Sequence, residues 1–196
     1  MRYGNLFKTI KISDSLIKET IDNINFNLIE EDTAKAQMYN NISERKKSKS
    51  GTATIRSNKV TFIHNEKILS QYLKLSREIN EVADWDFDID GIEPLQYGEY
   101  HKSQEYGWHI DQHNKAYVNK QVRKISFSVF LNDNYTGGEF DLELYNPNND
   151  CRYDTFSKLP LNTAIFFKSD YWHRVRPVTN GIRKSIVGWV LGPKMK

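Results

Sequence analysis

The hydrophobic pattern of the chain changes its period near residue 84, and this change restricts the folds that the sequence can adopt. Before that point, apolar residues recur at helical spacing over 13–24 and 65–82. After it, apolar and polar residues alternate in short runs at 85–89, 108–113, 127–131, 140–144, 162–167, 172–178 and 185–191. Helices followed by many short strands predict an α+β fold with a jelly-roll or sandwich core.

The chain shows no internal repeat and no linker, so we expect one domain over 1–196. Within it, residues 1–84 are predicted to provide supporting helices and a flexible basic loop, and residues 85–192 the jelly-roll core. The basic loop spans 43–59 and carries six Lys or Arg residues against one acid. It is either a solvated mobile loop or a flap that closes over an acidic or peptidic substrate.

Composition excludes several classes of protein. A net charge of +3 on 196 residues excludes a strongly basic nucleic-acid coat and an acidic disordered tail. The single Cys151 excludes an internal disulfide and a multi-cysteine metal site. The sequence has neither an apolar run long enough to span a membrane nor the apolar region of a signal peptide. We therefore expect a cytoplasmic protein without a membrane partner. The high Asn, Ile and Lys content suggests an AT-rich coding genome, as in some bacteria and phages, so the expected location includes the cytoplasm of a phage-infected host.

Three polar side chains share one face of the strand predicted over 108–113, namely His109, Asp111 and His113. Polar groups that point into a core cost free energy unless something satisfies them, and a metal ion does so. His173, in a later run, offers a third ligand from a distant strand. Two His and one carboxylate form the facial triad of non-haem Fe(II) oxygenases. The alternatives are an ordinary hydrogen-bonded His–Asp pair, or a metal pair formed by Asp111 with His113 instead of His109.

Arg183 begins the apolar run that follows His173, after a PVTNG turn. If the turn joins two adjacent antiparallel strands, Arg183 lies beside His173. A buried Arg is costly unless it meets an anion, and its planar fork matches a carboxylate. A dicarboxylate that chelates the metal at one end and pairs with Arg183 at the other satisfies all these groups, and 2-oxoglutarate has that shape. A surface salt bridge is the alternative role for Arg183.

Three stretches of the sequence carry longer motifs. Residues 106–111 match Y-x-x-H-x-D, residues 123–139 match R-x-x-S…L-N…Y-x-G-G-E, and residues 173–183 match H-x-V-x-P-V-x-x-G-x-R. Together these stretches resemble the prolyl 4-hydroxylases of the 2-oxoglutarate/Fe(II) dioxygenase superfamily. The resemblance covers about residues 92–192, which include the whole predicted core.

The resemblance implies a double-stranded β-helix (jelly-roll) core and an enzyme that hydroxylates a peptidyl proline while converting 2-oxoglutarate to succinate and CO2. It implies Fe(II), 2-oxoglutarate and O2, with ascorbate as a further reductant. The residues that it implies are His109, Asp111 and His173 for iron, Arg183 and Tyr97 for 2-oxoglutarate, and Tyr106, Arg123 and Trp189 for the substrate. Filling the core is the alternative role for the two tyrosines and Trp189.

Other functions remain open at this point. The same chemistry serves free amino acids, other side chains and nucleic acids, although nucleic-acid demethylases with this triad carry a further Arg downstream and here no Arg follows Arg183. A non-catalytic jelly-roll binding module, with the basic segment 43–59 as its partner surface, is the candidate from another class. A binding module has no need of His109, Asp111 and His173 together.

Overall fold

Two antiparallel β-sheets face each other in the computed structural model, which describes residues 6–25, 29–32, 56–112, 120–144 and 152–194. In chain order the elements are β1 (Phe7–Lys11), α1 (Asp14–Asp22), β2 (Ile29–Asp32), β3 (Ser57–Ile63), α2 (Glu66–Val82), β4 (Gly91–Ile92), β5 (Leu95–Tyr100), β6 (Tyr106–His109), β7 (Gln121–Phe130), β8 (Thr136–Gly137), β9 (Phe140–Leu144), β10 (Arg152–Phe156), β11 (Thr163–Lys168), β12 (His173–Val175), β13 (Val178–Asn180) and β14 (Arg183–Pro193).

The larger sheet has eight strands in the order β1-β11-β7-β14-β5-β3-β2, with β4 paired to β14. The smaller sheet has four strands in the order β10-β9-β12-β6, and β13 pairs with β8 outside both sheets. Apolar side chains of both sheets, including Phe130, Phe140 and Phe167, pack between them. This arrangement confirms the predicted α+β fold with a jelly-roll core.

The two helices cover the outer face of the larger sheet, where they share one apolar core with β5, β7, β11 and β14. A side chain caps the start of each helix: the Ser13 hydroxyl accepts a hydrogen bond from the Leu16 amide, and the Asn65 side chain accepts one from the Ile68 amide. Tyr72 of α2 stacks on Phe127 of β7 with ring centroids 5.4 Å apart. Neither helix in the described ranges is both long enough and apolar enough to cross a bilayer.

The N-terminal part of the chain contributes strands in addition to the two predicted helices. Strands β1, β2 and β3 all join the larger sheet. In β3, the side chains of Asn58, Val60 and Phe62 lie on the face opposite the helices and alternate with side chains that face the helices. The high charge of the residues before β3 obscures this alternation in the sequence. The earlier part of the basic segment, 43–55, lies outside the described residues.

The strand predicted over 85–89 is absent, because the backbone turns there instead. Asp84 and Asp86 have positive φ angles of 51° and 56°, which are incompatible with a strand. The Asn80 side chain accepts a hydrogen bond from the Phe87 amide at 3.1 Å and donates one to the Phe87 carbonyl at 3.0 Å. The alternation of apolar residues with Asp therefore reflects a loop fixed by helix α2.

His173 and Arg183 do not lie on adjacent strands, in contrast to the prediction from the PVTNG turn. His173 begins β12 of the smaller sheet, whereas Arg183 begins β14 of the larger one. Between them the chain forms β13 and turns at Gly181, where φ is +76°. The two residues consequently approach the space between the sheets from opposite walls.

Gly188 is needed for the packing of α2 on the larger sheet, and replacing it with Ala should destabilise the fold. An added Cβ overlaps the Phe127 ring, with Cε1 at 2.6 Å, and approaches Leu95 Cδ2 to 2.9 Å. We expect Gly188→Ala to lower the free energy of unfolding by about 1–3 kcal/mol, measured by urea denaturation. Gly91→Ala is the matched control, because nothing lies within 4 Å of its added Cβ. Equal stability of the two variants would contradict this account.

Candidate functional site

A cavity of about 190 Å³ lies between the two sheets. Strands β3, β5, β7, β11 and β14 of the larger sheet contribute to one wall, and β6, β9, β12 and the residues after β6 contribute to the other. Its lining includes seven of the site residues predicted from the sequence: His109, Asp111, His173, Arg183, Tyr106, Arg123 and Trp189. Residues far apart in the sequence therefore meet in one space.

His109, Asp111 and His173 form a compact group of potential metal ligands, and we call these three residues the ligand group. His109 ends β6 and is the cross-strand partner of His173 in β12, while Asp111 follows just after β6. Asp111 Oδ1 lies 3.8 Å from His109 Nε2, and Asp111 Oδ2 lies 3.4 Å from His173 Nε2. One ligand atom from each residue lies within 4.8 Å of the others, and all three residues are buried. This spacing fits a single ion held by two imidazoles and a carboxylate.

Backbone carbonyls orient both imidazoles. His109 Nδ1 lies 2.9 Å from the Gly107 carbonyl oxygen, and His173 Nδ1 lies 3.0 Å from the Tyr171 carbonyl oxygen. A carbonyl only accepts, so each Nδ1 carries the proton and donates it in the hydrogen bond. Each Nε2 consequently presents its lone pair to the centre of the group, which is the arrangement that metal-binding histidines require.

Burial and charge keep His109 and Asp111 in their metal-binding protonation states. Burial, followed by the nearby His173, places the pKa of His109 well below its ordinary value, so this imidazole is neutral. Burial alone would raise the pKa of Asp111, but His173, His109 and Arg123 lower it to about 2. His109 and Asp111 thus offer a neutral imidazole and an ionised carboxylate without a prior proton loss.

Arg183 is a buried cation on the opposite wall, only 1% exposed. Its Nη1 donates to the Ser185 hydroxyl at 3.0 Å, while its Nε and Nη2 are buried and have no hydrogen-bond partner. The guanidinium carbon lies 5.6 Å from the centre of the Tyr100 ring and 5.0 Å from that of Phe130. A guanidinium with unsatisfied donors in such surroundings costs several kcal/mol. The arrangement therefore fits a carboxylate that accepts from both free donors.

The three residues predicted for substrate binding surround the ligand group. The Tyr106 ring stacks on His109 with centroids 3.5 Å apart and planes 7° from parallel. Arg123 donates to both carboxylate oxygens of Glu93, at 2.8 and 2.6 Å, and its Cζ lies 3.9 Å from the centre of the Trp189 ring. Arg123 Nη1 also lies 4.0 Å from Asp111 Oδ1. These contacts hold the three side chains at the edge of the ligand group.

Tyr97 does not line the cavity, so its prediction as a co-substrate residue is wrong. Successive side chains of a strand point to opposite faces, and Tyr97 of β5 faces the helices, where it joins the outer core. Its hydroxyl donates to Glu99 Oε1 at 2.7 Å. Tyr100, three residues later, faces the cavity and is the cross-strand partner of Arg183. Tyr100 thus occupies the place predicted for Tyr97.

Arg56 and Gln96 also line the cavity, although neither was predicted. Arg56 Nη2 donates to Gln96 Oε1 at 3.0 Å, and Arg56 Cζ lies 4.9 Å from the centre of the Tyr106 ring. Gln96 and Tyr100 lie at even spacing in β5, so the phase of that strand would have identified both. No comparable signal exists for Arg56, because it precedes a strand whose pairing the sequence does not reveal.

Several other polar residues of the sequence either fall outside the described residues or do not line the cavity. His113, the alternative ligand, and Cys151 fall outside the described residues. Arg174 and Arg176 line neither wall of the cavity; their Nε atoms donate to the buried Asp141 carboxylate at 2.6 and 2.8 Å. They therefore stabilise the smaller sheet, which carries both histidines.

Solved structures with the same architecture include several prolyl hydroxylases. A Pseudomonas putida prolyl-4-hydroxylase superposes with a TM-score of 0.61 at 15% identity, covering 97% of this chain and 94% of that one. A viral collagen prolyl hydroxylase of Paramecium bursaria Chlorella virus-1 gives 0.61 at 19%, covering 97% and 98%. A Trichoplax adhaerens prolyl hydroxylase gives 0.63 at 19%, covering 95% and 83%. At these identities the likeness establishes the fold.

The chain also resembles curated hydroxylases in sequence. A PKHD-type hydroxylase of Acaryochloris marina is 37% identical over 101 residues, which are 50% of this chain and 42% of that protein. A second one, of Synechococcus sp., is 33% identical over 87 residues, covering 43% and 35%. The chain thus spans less than half the length of these curated relatives.

The sequence profile of the 2OG-Fe(II) oxygenase superfamily matches residues 95–191, which contain every residue of the ligand group and Arg183. Through these residues, the chain belongs to the 2OG-Fe(II) oxygenase superfamily.

Proposed function

We propose that the protein is a dioxygenase that uses Fe(II), 2-oxoglutarate and O2 to hydroxylate a proline within a polypeptide. The observation that carries this proposal is the meeting of two complementary features in one cavity. One is the buried group of His109, Asp111 and His173, and the other is the buried Arg183 with two unsatisfied donors. Family membership supports Fe(II), 2-oxoglutarate and O2 as its cofactor and co-substrates. Ascorbate as a reductant stays a prediction, as does the cytoplasmic location.

In this proposal His109, Asp111 and His173 hold Fe(II), each through one ligand atom. Bound by these residues, Fe(II) would supply the redox chemistry for O2 activation and a Lewis-acid site for the keto-acid end of 2-oxoglutarate. The protein itself orients the ligands. The Gly107 and Tyr171 carbonyls fix the two imidazoles, and burial limits the access of water to the ligand group.

Arg183 orients 2-oxoglutarate from the opposite wall. We assign its Nε and Nη2 to the distal carboxylate, which supplies the acceptors that these donors lack. Ser185 holds the remaining side of the guanidinium, and Tyr100 lies beside it. The metal site on one wall and Arg183 on the other together select a dicarboxylate by its length.

The overall reaction balances without any other oxidant. 2-Oxoglutarate loses CO2 and becomes succinate, and one oxygen atom of O2 enters the new carboxylate. The other oxygen atom enters a C–H bond of the substrate, which becomes an alcohol. The residues that surround the ligand group keep this chemistry away from bulk water until the substrate fills the cavity.

Two observations support a proline in a polypeptide as the substrate. Tyr106, Arg123 and Trp189 form a partly aromatic rim next to the ligand group, which suits a proline ring. In addition, the fold neighbours are named prolyl hydroxylases, and the one from Trichoplax adhaerens was solved with a peptide fragment of hypoxia inducible factor. We propose that this chain acts on a polypeptide in the same way, as one domain over 1–196.

Because Tyr100 and not Tyr97 lines the cavity, the Phe variants of these two residues should differ in their affinity for 2-oxoglutarate. We expect Tyr100→Phe to weaken 2-oxoglutarate binding by roughly tenfold, because it removes a hydroxyl next to the Arg183 site. Tyr97→Phe should leave that affinity unchanged, because its hydroxyl faces Glu99 on the other side of the sheet. Calorimetric titration of 2-oxoglutarate into the Mn(II)-loaded protein measures both values. The reverse order of effects would restore Tyr97 to the site.

The function is tested by product analysis. The protein with Fe(II) and 2-oxoglutarate is exposed to air with a panel of proline-containing peptides, free proline and an oligonucleotide. We expect succinate formation that a peptide stimulates, together with the addition of one oxygen atom to that peptide by mass spectrometry. Stimulation by free proline or by the oligonucleotide alone would assign another substrate. Absence of succinate from folded, iron-loaded protein would favour the binding module.

A further inference from the structure

Phe62 of β3 is an exposed aromatic residue in the wall of the cavity. Its side chain is 42% exposed, yet it lines the same cavity as His109 and Arg183. The large apolar side chains that the described residues leave exposed are Ile21, Phe62, Val82 and Leu161. Phe62 is the member of this set that reaches the cavity. An exposed aromatic ring beside a binding site is typical of a surface that a partner covers.

Strand register connects Phe62 to the ligand group. Phe62 pairs with Gln96 of β5, and Gln96 pairs with Val187 of β14. Trp189 lies two residues beyond Val187 on the same face of β14, and both line the cavity. We call Phe62, Val187 and Trp189 the docking strip. It crosses three adjacent strands of the larger sheet and ends beside Arg123, which touches Asp111.

The inner end of the docking strip carries an unsatisfied donor. Trp189 is 7% exposed, and its indole Nε1 is buried without a hydrogen-bond partner. Arg123, itself held by Glu93, covers one face of the indole and fixes its orientation. A polypeptide presents carbonyl acceptors along its whole length, whereas a free amino acid ends at its carboxylate. A backbone carbonyl that accepts from Trp189 would therefore satisfy this donor while the chain continues toward Phe62.

The length of the docking strip sets the size of the substrate. Phe62 lies two strand spacings across and two residues along the sheet from Trp189, which corresponds to about 12 Å. An extended peptide covers that distance in roughly four residues. A free amino acid held at the ligand group cannot reach Phe62.

We infer that the substrate is a polypeptide that lies along the docking strip and places an apolar side chain against Phe62, roughly four residues from the hydroxylated proline. Phe62 is then a specificity-determining residue at the far end of the site. The inference rests on the proposed function, since it assumes that the reacting proline lies at the ligand group.

The test uses peptides with one central proline on a Gly/Ser background that differ only in the position of a single leucine. Fluorescence polarisation of labelled peptides measures binding to the protein loaded with Mn(II) and 2-oxoglutarate, and succinate formation with Fe(II) measures turnover. We expect the best leucine position to lie about four residues from the proline and to bind roughly tenfold tighter than an adjacent one. Phe62→Ala should abolish this preference, and Phe62→Leu should keep most of it.

Leu161→Ala is the matched control, because it removes a comparably exposed apolar side chain (50%) that does not line the cavity. It should leave the leucine preference unchanged. Equal binding of all leucine positions, or the same preference in Phe62→Ala as in the wild type, would overturn the inference. Peptide-independent conversion of 2-oxoglutarate is measured in the same samples. If 2-oxoglutarate conversion persists in those cases, the oxygenase assignment stands. Absence of succinate from the folded, iron-loaded wild type both with and without peptide would refute the proposed function itself.

Discussion

Replacing His109 with Ala is expected to weaken Fe(II) binding and lower succinate formation by more than about a hundredfold. The variant removes one of three ligands whose atoms lie within 4.8 Å of one another, and a pair of ligands binds a divalent ion far more weakly. The effect on O2 chemistry follows, because Asp111 and His173 alone do not hold the ion in place. Equilibrium dialysis with Fe(II) under anaerobic conditions measures the affinity, and succinate formation measures the activity.

His64→Ala is the matched control for this variant. His64 is exposed and follows β3, outside the cavity lining, so its loss should change neither Fe(II) affinity nor activity. His109 also stacks on Tyr106, so the thermal unfolding of the variant must be recorded to verify that it is folded. Iron binding and activity that survive in folded His109→Ala would remove this residue from the metal site.

Replacing Arg183 with Met is expected to have two effects of opposite sign. Without 2-oxoglutarate, the variant should be more stable than the wild type by about 1–3 kcal/mol, because an apolar side chain replaces a buried cation with two unsatisfied donors. At the same time, 2-oxoglutarate should bind roughly a hundredfold more weakly, because two charge-assisted hydrogen bonds are lost. A residue with a merely structural role would not produce both effects.

Thermal unfolding of the Mn(II)-loaded protein, with and without 2-oxoglutarate, measures both effects of Arg183→Met. A ligand at a hundred times its Kd stabilises a protein by about 2.7 kcal/mol, and in a variant that binds a hundredfold more weakly the same concentration should give only about 0.4 kcal/mol. Lys184→Met is the matched control, because Lys184 is the half-exposed neighbour whose Nζ lies 3.7 Å from Glu99. If Arg183→Met destabilised the ligand-free protein and retained the gain from 2-oxoglutarate, the role assigned to Arg183 would be wrong.

The ligand group could be predicted from the sequence because its members stand at informative places. His109 and Asp111 are two residues apart, a spacing that directs both side chains into the same space at the end of a strand. The motif that starts at His173 adds the third ligand, and the same motif ends at Arg183. His109, His173 and Arg183 are buried because they lie on strands that face the interior, and Asp111 is buried just beyond the end of β6.

Other features of the site depend on strand pairings that the sequence does not reveal. Tyr97 and Tyr100 differ only in the phase of β5, and this phase is fixed by the register of β5 against β14. His173 and Arg183 are near in sequence but lie on facing sheets, because β13 pairs with β8 and carries the chain across. The strand containing Phe62 follows a highly charged segment, and its place beside β5 is a long-range contact. Such contacts depend on the assembled core rather than on local pattern.

The central claim is that one cavity holds Fe(II) and 2-oxoglutarate together, and an anaerobic titration tests it most directly. 2-Oxoglutarate is added to the Fe(II)-loaded protein while the visible charge-transfer band of the chelated metal is recorded, and air is then admitted to measure succinate. We predict a saturable band and succinate in the wild type, and neither in His109→Ala or Arg183→Met. A folded, iron-loaded wild-type protein that gives neither band nor succinate would contradict the account.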